Sequence, residues 1–328
     1  MVKFLIIRFS SIGDIVLTTP VIRCLKNQVE GAQIHFLVKK QFAPVVSQNP
    51  YIEKLHILEG DLNATIQELR SEHFDYIIDL HKNIRSSIVR SKLRLFSFQV
   101  NKINFRKWLI VKLKINRLPD KHIVDRYLET VKAFDIINDG KGLDYFIPDQ
   151  DEVDRSVLPD TFHEEYTGLV IGGMHYTKQM PLDKLIQLIR SLHIPVILLG
   201  SRDDRVVGDK IINACPDARI HNACGQFNIN QSASLVRQAS LIITPDTGLM
   251  HIAAAFKKKI ISVWGNTVPE FGMYPYLPDP DSRIFEVHGL SCRPCSRIGY
   301  EKCPKKHFRC MIDQDIEGMA ELANKAVN

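Results

Sequence analysis

The chain has 328 residues, long for one hydrophobic core, so two domains of ordinary size are expected. Its 45% hydrophobic and 24% charged content is that of an ordinary folded protein, and no apolar run approaches the roughly 20 residues that cross a bilayer. The net charge of +6 is modest but unevenly spread.

The first element is a short apolar strand, Lys3 to Phe9. Arg8 and a polar loop follow at once, with no small-residue cleavage site, so it reads as buried strand and not as a signal peptide. The expected location is therefore the cytoplasm. Further strand candidates in the first half are Gln33 to Val38, Lys54 to Leu58 and Asp75 to Leu80, with helices at Ile15 to Val29, Leu62 to Glu72 and Val124 to Phe134. Between them, Leu80 to Pro119 contains no Asp or Glu but eleven Lys or Arg, from Lys82 to Arg117, interleaved with Phe96, Phe98, Phe105 and Trp108. Such a block suits an anionic partner (a nucleic acid, a membrane surface or an acidic substrate), or else forms a solvated helical face. A polar stretch from Pro148 to Glu165 reads as a linker, giving domains at 1–155 and 156–328. In the second half, strands are expected at Gly168 to Gly172, Pro195 to Leu199, Arg219 to Asn222, Leu241 to Thr244 and Lys259 to Val263. Helices are expected at Leu182 to Leu192, Asp204 to Ala214, Asn230 to Ala239 and Thr247 to Phe256. A last amphipathic helix, Asp313 to Val327, is expected to pack back on the first domain. This alternation predicts an α/β protein of two doubly wound, Rossmann-like domains facing one another across a cleft.

Four strand-to-helix loops carry candidate chemistry. Ser10-Ser11-Ile12-Gly13-Asp14 follows the first strand; Gly13 allows close backbone approach or a positive φ, and Asp14 falls in the first helical turn, where it can also act simply as a cap. Thr244-Pro245-Asp246-Thr247-Gly248 opens another helix, whose free N–H groups make a ready diphosphate site, with His251 one turn further on. His251 fits equally well as a buried core histidine. Gly172 to Lys178 ends a third strand, and a lysine there can neutralise a diphosphate or simply lie on the surface. Gly200-Ser201-Arg202-Asp203-Asp204 offers a carboxylate for ribose hydroxyls or for a cap. G-x-G-x-x-G and Walker patterns are absent. Of seven cysteines, Cys292, Cys295, Cys303 and Cys310 cluster with His307; the C-x₂-C pair with two more cysteines fits a structural zinc site or a set of reduced thiols packing a loop.

Arg8 to Asp14 followed by Pro20, Asp246 to Ala255, and Trp264-Gly265-Asn266-Thr267 together resemble glycosyltransferase family 9, the heptosyltransferases of lipopolysaccharide assembly, over nearly the whole chain. The resemblance implies the GT-B fold and inversion of the anomeric centre without a metal or cofactor, the ADP-sugar donor being a substrate. It implies Asp14 as general base and Lys178 on the donor phosphates. Gly13, Asp246, Thr247, Gly248 and His251 would line the donor site, and Asp203 or Asp204 the ribose. It further implies an anionic, lipid-linked saccharide acceptor met by the basic segment, and peripheral contact with the cytoplasmic face of the inner membrane. The competing readings are another nucleotide-sugar transferase or epimerase of this architecture, and a nucleic-acid-binding protein using residues 80–119; the latter leaves the loops at Asp14 and Asp246 without a purpose.

Overall fold

The computed structural model describes residues 1–326. Val327, at the end of the expected last helix, lies outside the described residues. The chain forms two compact units, Met1–Ile103 with Lys121–Phe146, and Asn104–Asp120 with Ile147 onward.

The first unit is built on five parallel strands: β1 (Val2–Ile7), β2 (Ala32–Lys39), β3 (Lys54–Leu58), β4 (Tyr76–Asp79) and β5 (Phe96–Gln99), in the order β3-β2-β1-β4-β5. The central β1 reads as a continuous apolar run because it pairs on both edges, Phe4 facing Ile34 and Tyr76, and is covered on both faces. Leu5, Ile7, Leu37, Leu69, Ile77 and Val89 share one core. The single helix expected after β1 is two, Ile12–Val16 and Thr19–Gln28. Pro20 has no N–H for the Val16 carbonyl, which accepts the Thr19 hydroxyl at 2.8 Å instead. Arg23 on the second helix is 2% exposed and ties down the returning segment, holding Asp139, Asp144 and the Gly142 carbonyl.

The second unit has six parallel strands: β6 (Thr167–Val170), β7 (Val196–Leu199), β8 (Ile220–Asn222), β9 (Leu241–Pro245), β10 (Lys259–Trp264) and β11 (Arg283–Glu286). Their order, β11-β10-β9-β6-β7-β8, is the doubly wound order of a dinucleotide-type sheet. In each sheet the winding reverses beside the first strand, between β1 and β4 and between β6 and β9. Ligands of such sheets bind outside the carboxyl ends of the strands at that reversal. The loops after β1, β4, β6 and β9 are therefore the places to look.

Two expectations about the units change. The chain passes into the second unit after Phe146, and Asn104–Asp120, expected in the first domain, belongs to the second. The reason is apolar contact: Ile110, Val111 and Leu118 pack against Val268 and Phe271. The last helix, Ile316–Lys325, is packed into the second unit's own core. Its apolar stripe of Ile316, Met319, Ala320 and Ala323, spaced i, i+3, i+4, i+7, is buried with Leu185, Leu188 and Ile189 of the helix Leu182–Arg190. Among the described residues no helix is long and apolar enough to cross a membrane.

Candidate functional site

In the first unit the loop after β1 places Asp14 at the third position of the helix Ile12–Val16. One carboxylate oxygen accepts from the Ser11 hydroxyl at 2.8 Å and the Ser11 N–H at 3.3 Å, so Asp14 does cap the helix. Capping does not require what meets the other oxygen, the Arg8 guanidinium at 2.6 Å. Arg8 is 6% exposed and is itself fixed by the Ser10 and Leu80 carbonyls, at 2.8 and 2.6 Å. The carboxylate keeps 23% of its side-chain surface open. Gly13 sits within the helix and does not use the left-handed region.

The loop after β4 brings His81 to the same place, its ring 4.9 Å from that of Phe9. Burial first, then Arg8 and Lys102, push the His81 pKa down to about 3, so the imidazole is neutral at physiological pH. Its buried Nδ1 has no hydrogen-bond partner among the described residues. Burial and then Arg8 also lower Lys102, while burial pushes Tyr127, under the Arg8 guanidinium at 5.8 Å, up to about 12. Asp14 is thus a rigidly oriented carboxylate among cationic and neutral donors. Sequence reasoning missed Arg8 as its partner, and His81 altogether; a charged residue closing an otherwise apolar central strand was the available signal.

In the second unit the loops after β6 and β9 bring Lys178 and Asp246 together. Lys178 ends the short 3₁₀ turn Tyr176–Lys178, and its ammonium lies 2.5 Å from an Asp246 oxygen that also accepts the Thr267 hydroxyl at 3.2 Å. Asp246 leads into the helix Gly248–Ala255 with Thr247 at the cap position. The Thr247 side chain does not cap: its hydroxyl lies 3.2 Å from that of Thr244, so the helix start lacks the usual acceptor from its N-cap residue. By contrast Asn228 and Asp61 cap their own helices. A lysine beside an uncapped helix start at the winding reversal is the arrangement that binds a diphosphate. His251 is buried, at 2% exposure, one turn inside this helix.

The neighbouring loop after β7 gives its two carboxylates different surroundings. Asp204 is spent on its own turn, accepting from the Ser201 N–H at 2.7 Å and hydroxyl at 2.6 Å. Asp203 is exposed. The loop reaches this position only because Gly172 has no side chain, since a Cβ there would stand 2.1 Å from an Asp204 oxygen.

The basic segment serves several purposes. Arg90 pairs with the buried Asp79 at 3.0 Å, Lys114 holds the Cys292 and Pro294 carbonyls, and Lys107 lies 5.4 Å over the Phe271 ring. The helix Asn104–Leu113 leaves Phe105 and Trp108 exposed and stacked 6.1 Å apart, beside Arg106 and Lys112. All seven cysteines are free thiols. Burial is the main cause that pushes Cys295 up to about 11 and Cys310 to about 12.

Comparison with known proteins gives a consistent picture. The family described as glycosyltransferase family 9 (heptosyltransferase) matches residues 62–301. A lipooligosaccharide heptosyltransferase 2 from Haemophilus influenzae is 25% identical over 314 residues, covering 88% of this chain and 89% of that protein. Lipopolysaccharide heptosyltransferase 3 of Escherichia coli is 25% identical over 289 residues, 78% of this chain and 80% of its own. Among solved structures, an E. coli ADP-heptose lipopolysaccharide heptosyltransferase II superposes with a TM-score of 0.77 at 21% identity, over 99% of this chain and 98% of that one. A family 9 glycosyltransferase from Veillonella parvula does so at 0.80 and 18%, over 99% and 97%. The fold is thus the α/β, GT-B arrangement of two Rossmann-like domains.

Proposed function

The chain belongs to glycosyltransferase family 9 and is a glycosyltransferase; from that premise we propose that it transfers heptose from ADP-heptose to a lipopolysaccharide core or related anionic glycolipid. The names of its relatives support this donor and acceptor. The reaction is an inverting displacement that uses no metal. The acceptor hydroxyl oxygen attacks the anomeric carbon, its proton passes to an Asp14 oxygen, and the bond to the diphosphate breaks with ADP as leaving group. A carboxylate base of this kind contributes ~10²–10⁴-fold.

The observation that carries the reading is the ammonium of Lys178 beside an uncapped helix start at Thr247-Gly248. Fixed dipoles and a fixed cation stabilise the charge that develops on the leaving diphosphate without needing a divalent ion. Gly248 leaves room for phosphate oxygens, Thr247 adds a hydroxyl donor, and Asp246 fixes Lys178 until the donor arrives. His251 supports the helix from within, and Asp203, not the self-engaged Asp204, meets the ribose. Around Asp14, Arg8 sets the carboxylate's orientation while Lys102 and the open His81 Nδ1 favour an anionic acceptor. The exposed Phe105 and Trp108, with Arg106 and Lys112, suit shallow insertion at an anionic membrane surface, where a lipid-linked acceptor is presented.

A thermal-shift series with ADP, UDP and GDP tests the donor. Selective stabilisation by ADP is expected; equal response to all three, or response to another base alone, contradicts it.

A further inference from the structure

Residues 287–308 contain no helix or strand, yet this stretch is tied to both loops that meet at Lys178 and Asp246. We propose that Arg293 is a positioning residue for transfer: its guanidinium holds the loop Gly265–Thr267, so that the Thr267 hydroxyl fixes Asp246 and, through it, the ammonium of Lys178. The proposal rests on the donor reading above and adds to it a residue that acts through others.

Arg293 is anchored first. Its side chain is 6% exposed and pairs with Glu286 at 2.5 Å. All three guanidinium nitrogens donate: Nε to the Gly265 carbonyl at 2.6 Å, Nη1 to the Val287 carbonyl at 3.2 Å and Nη2 to the Thr267 carbonyl at 2.9 Å. The carbonyl between, that of Asn266, accepts the Cys295 N–H at 3.1 Å. Three consecutive carbonyls after β10 are thus held from one turn. Only the planar fork of arginine serves two of them at once; an ammonium keeps the charge beside Glu286 and loses the fork. Lys114 steadies the turn in its turn, donating to the Cys292 and Pro294 carbonyls at 3.0 and 2.7 Å. Among the described residues the sulfurs of Cys292, Cys295, Cys303 and Cys310 do not form a metal-ligating group, so hydrogen bonds are what fix this stretch.

From the loop the constraint passes to the donor lysine. The Thr267 hydroxyl donates at 3.2 Å to the same Asp246 oxygen that meets Lys178 at 2.5 Å, so it selects the carboxylate rotamer that Lys178 finds. The turn carrying Lys178 is held by the other end of the stretch: the Tyr300 N–H donates to the Thr177 hydroxyl at 2.8 Å, and the Tyr300 carbonyl accepts the Thr177 N–H at 3.1 Å. The two loops touch at Gly265, where a Cβ would stand 2.8 Å from the Thr177 carbonyl oxygen. Cys295 and Tyr300 act through backbone groups, which substitution leaves in place. Arg293 and Thr267 act through side chains, so the path between them can be cut. A lysine fixed in this way needs no reordering when charge develops on the leaving diphosphate, whereas a loosened one loses side-chain freedom on binding.

The experiment compares Arg293→Met, Thr267→Val and the double variant, each measured for ADP affinity by titration calorimetry and for donor and acceptor KM. Arg293→Met should weaken ADP about 5–20-fold, less than Lys178→Ala does, and raise the donor KM in step, with the acceptor KM within about twofold of wild type. Thr267→Val should show a similar loss. The double variant should bind ADP no more than about twofold worse than the weaker single variant, because both cuts lie on one path. Arg293→Met also lowers the Tm, since Glu286 and three carbonyls lose their donor, so binding is compared well below the melting transition. If that variant fails to fold, Arg293→Lys replaces it, and Thr267→Val still tests the last link. Wild-type ADP affinity in Thr267→Val or in the folded Arg293 variant, losses that multiply in the double variant, or an acceptor KM that rises with the donor KM would overturn the proposal. Lys178→Ala in the same series separates the two readings. If its ADP affinity is unchanged, the donor reading falls and this proposal with it; if it alone loses affinity, only the role of Arg293 falls.

Discussion

Replacing Lys178 by alanine removes the ammonium that Asp246 meets at 2.5 Å, and the structure sets the size of two separate losses. The paired side chains are 17% and 13% exposed. They fall between exposed pairs, worth under ~1 kcal/mol, and buried pairs, whose rupture costs about 3–5 kcal/mol. The Thr267 hydroxyl stays on Asp246, which limits the damage. A stability loss of ~2 kcal/mol follows, or about 3 °C in Tm for a chain of this size. Asp246→Asn added to Lys178→Ala should recover most of that, because the uncompensated charge is gone. The binding loss has a different origin: one charge-assisted contact to a phosphate, ~1.5–3 kcal/mol, or roughly 10–150-fold in Kd. Titration calorimetry with ADP on all three proteins separates the two. Stability should return in the double variant while ADP affinity should not. Wild-type ADP affinity in Lys178→Ala would refute the assignment of this lysine to the diphosphate.

Other consequences are equally direct. Arg8→Met leaves Asp14 without its guanidinium and the Leu80 and Ser10 carbonyls without a donor, so denaturant melts should show a loss of about 3 kcal/mol or more, and turnover should fall further than ADP affinity. Burial and then His56 push His35 down to about 4, so between the unfolded pKa of about 6.5 and that value the unfolded chain binds the extra proton. Stability should therefore fall as pH drops through that window, with His35 contributing up to ~3 kcal/mol; urea midpoints that do not change from pH 7 to 4.5 would contradict this. Phe105→Ala/Trp108→Ala should weaken binding to anionic vesicles several-fold in a flotation assay, with ADP affinity unchanged.

Much of this architecture was legible because buried parallel strands are continuous apolar runs. β3 occupies the expected residues, and β1 and β9 lie within a residue or two of theirs. β5 and β11 escaped notice because both are short sheet-edge strands with exposed residues and no apolar run or clean alternation. The helices Ile84–Leu93 and Asn104–Leu113 were hidden by their own charge: a run of Lys and Arg reads as a surface before it reads as structure. The candidate loops could be located because each ends an apolar strand. Their partners could not, since pairing Arg8 with Asp14, or Lys178 with Asp246 at a sequence separation of 68, depends on strand order and not on spacing. The same holds for the last helix, whose apolar stripe was visible while its destination was set by the complementary face of Leu182–Arg190.

The central claim concerns Asp14, whose carboxylate can be made neutral with little change of shape. Asp14→Asn should keep ADP affinity within about twofold while transfer of heptose from ADP-heptose to a lipopolysaccharide-core acceptor falls at least ~10²-fold. A variant that turns over at near the wild-type rate would contradict the assignment of Asp14 as the base.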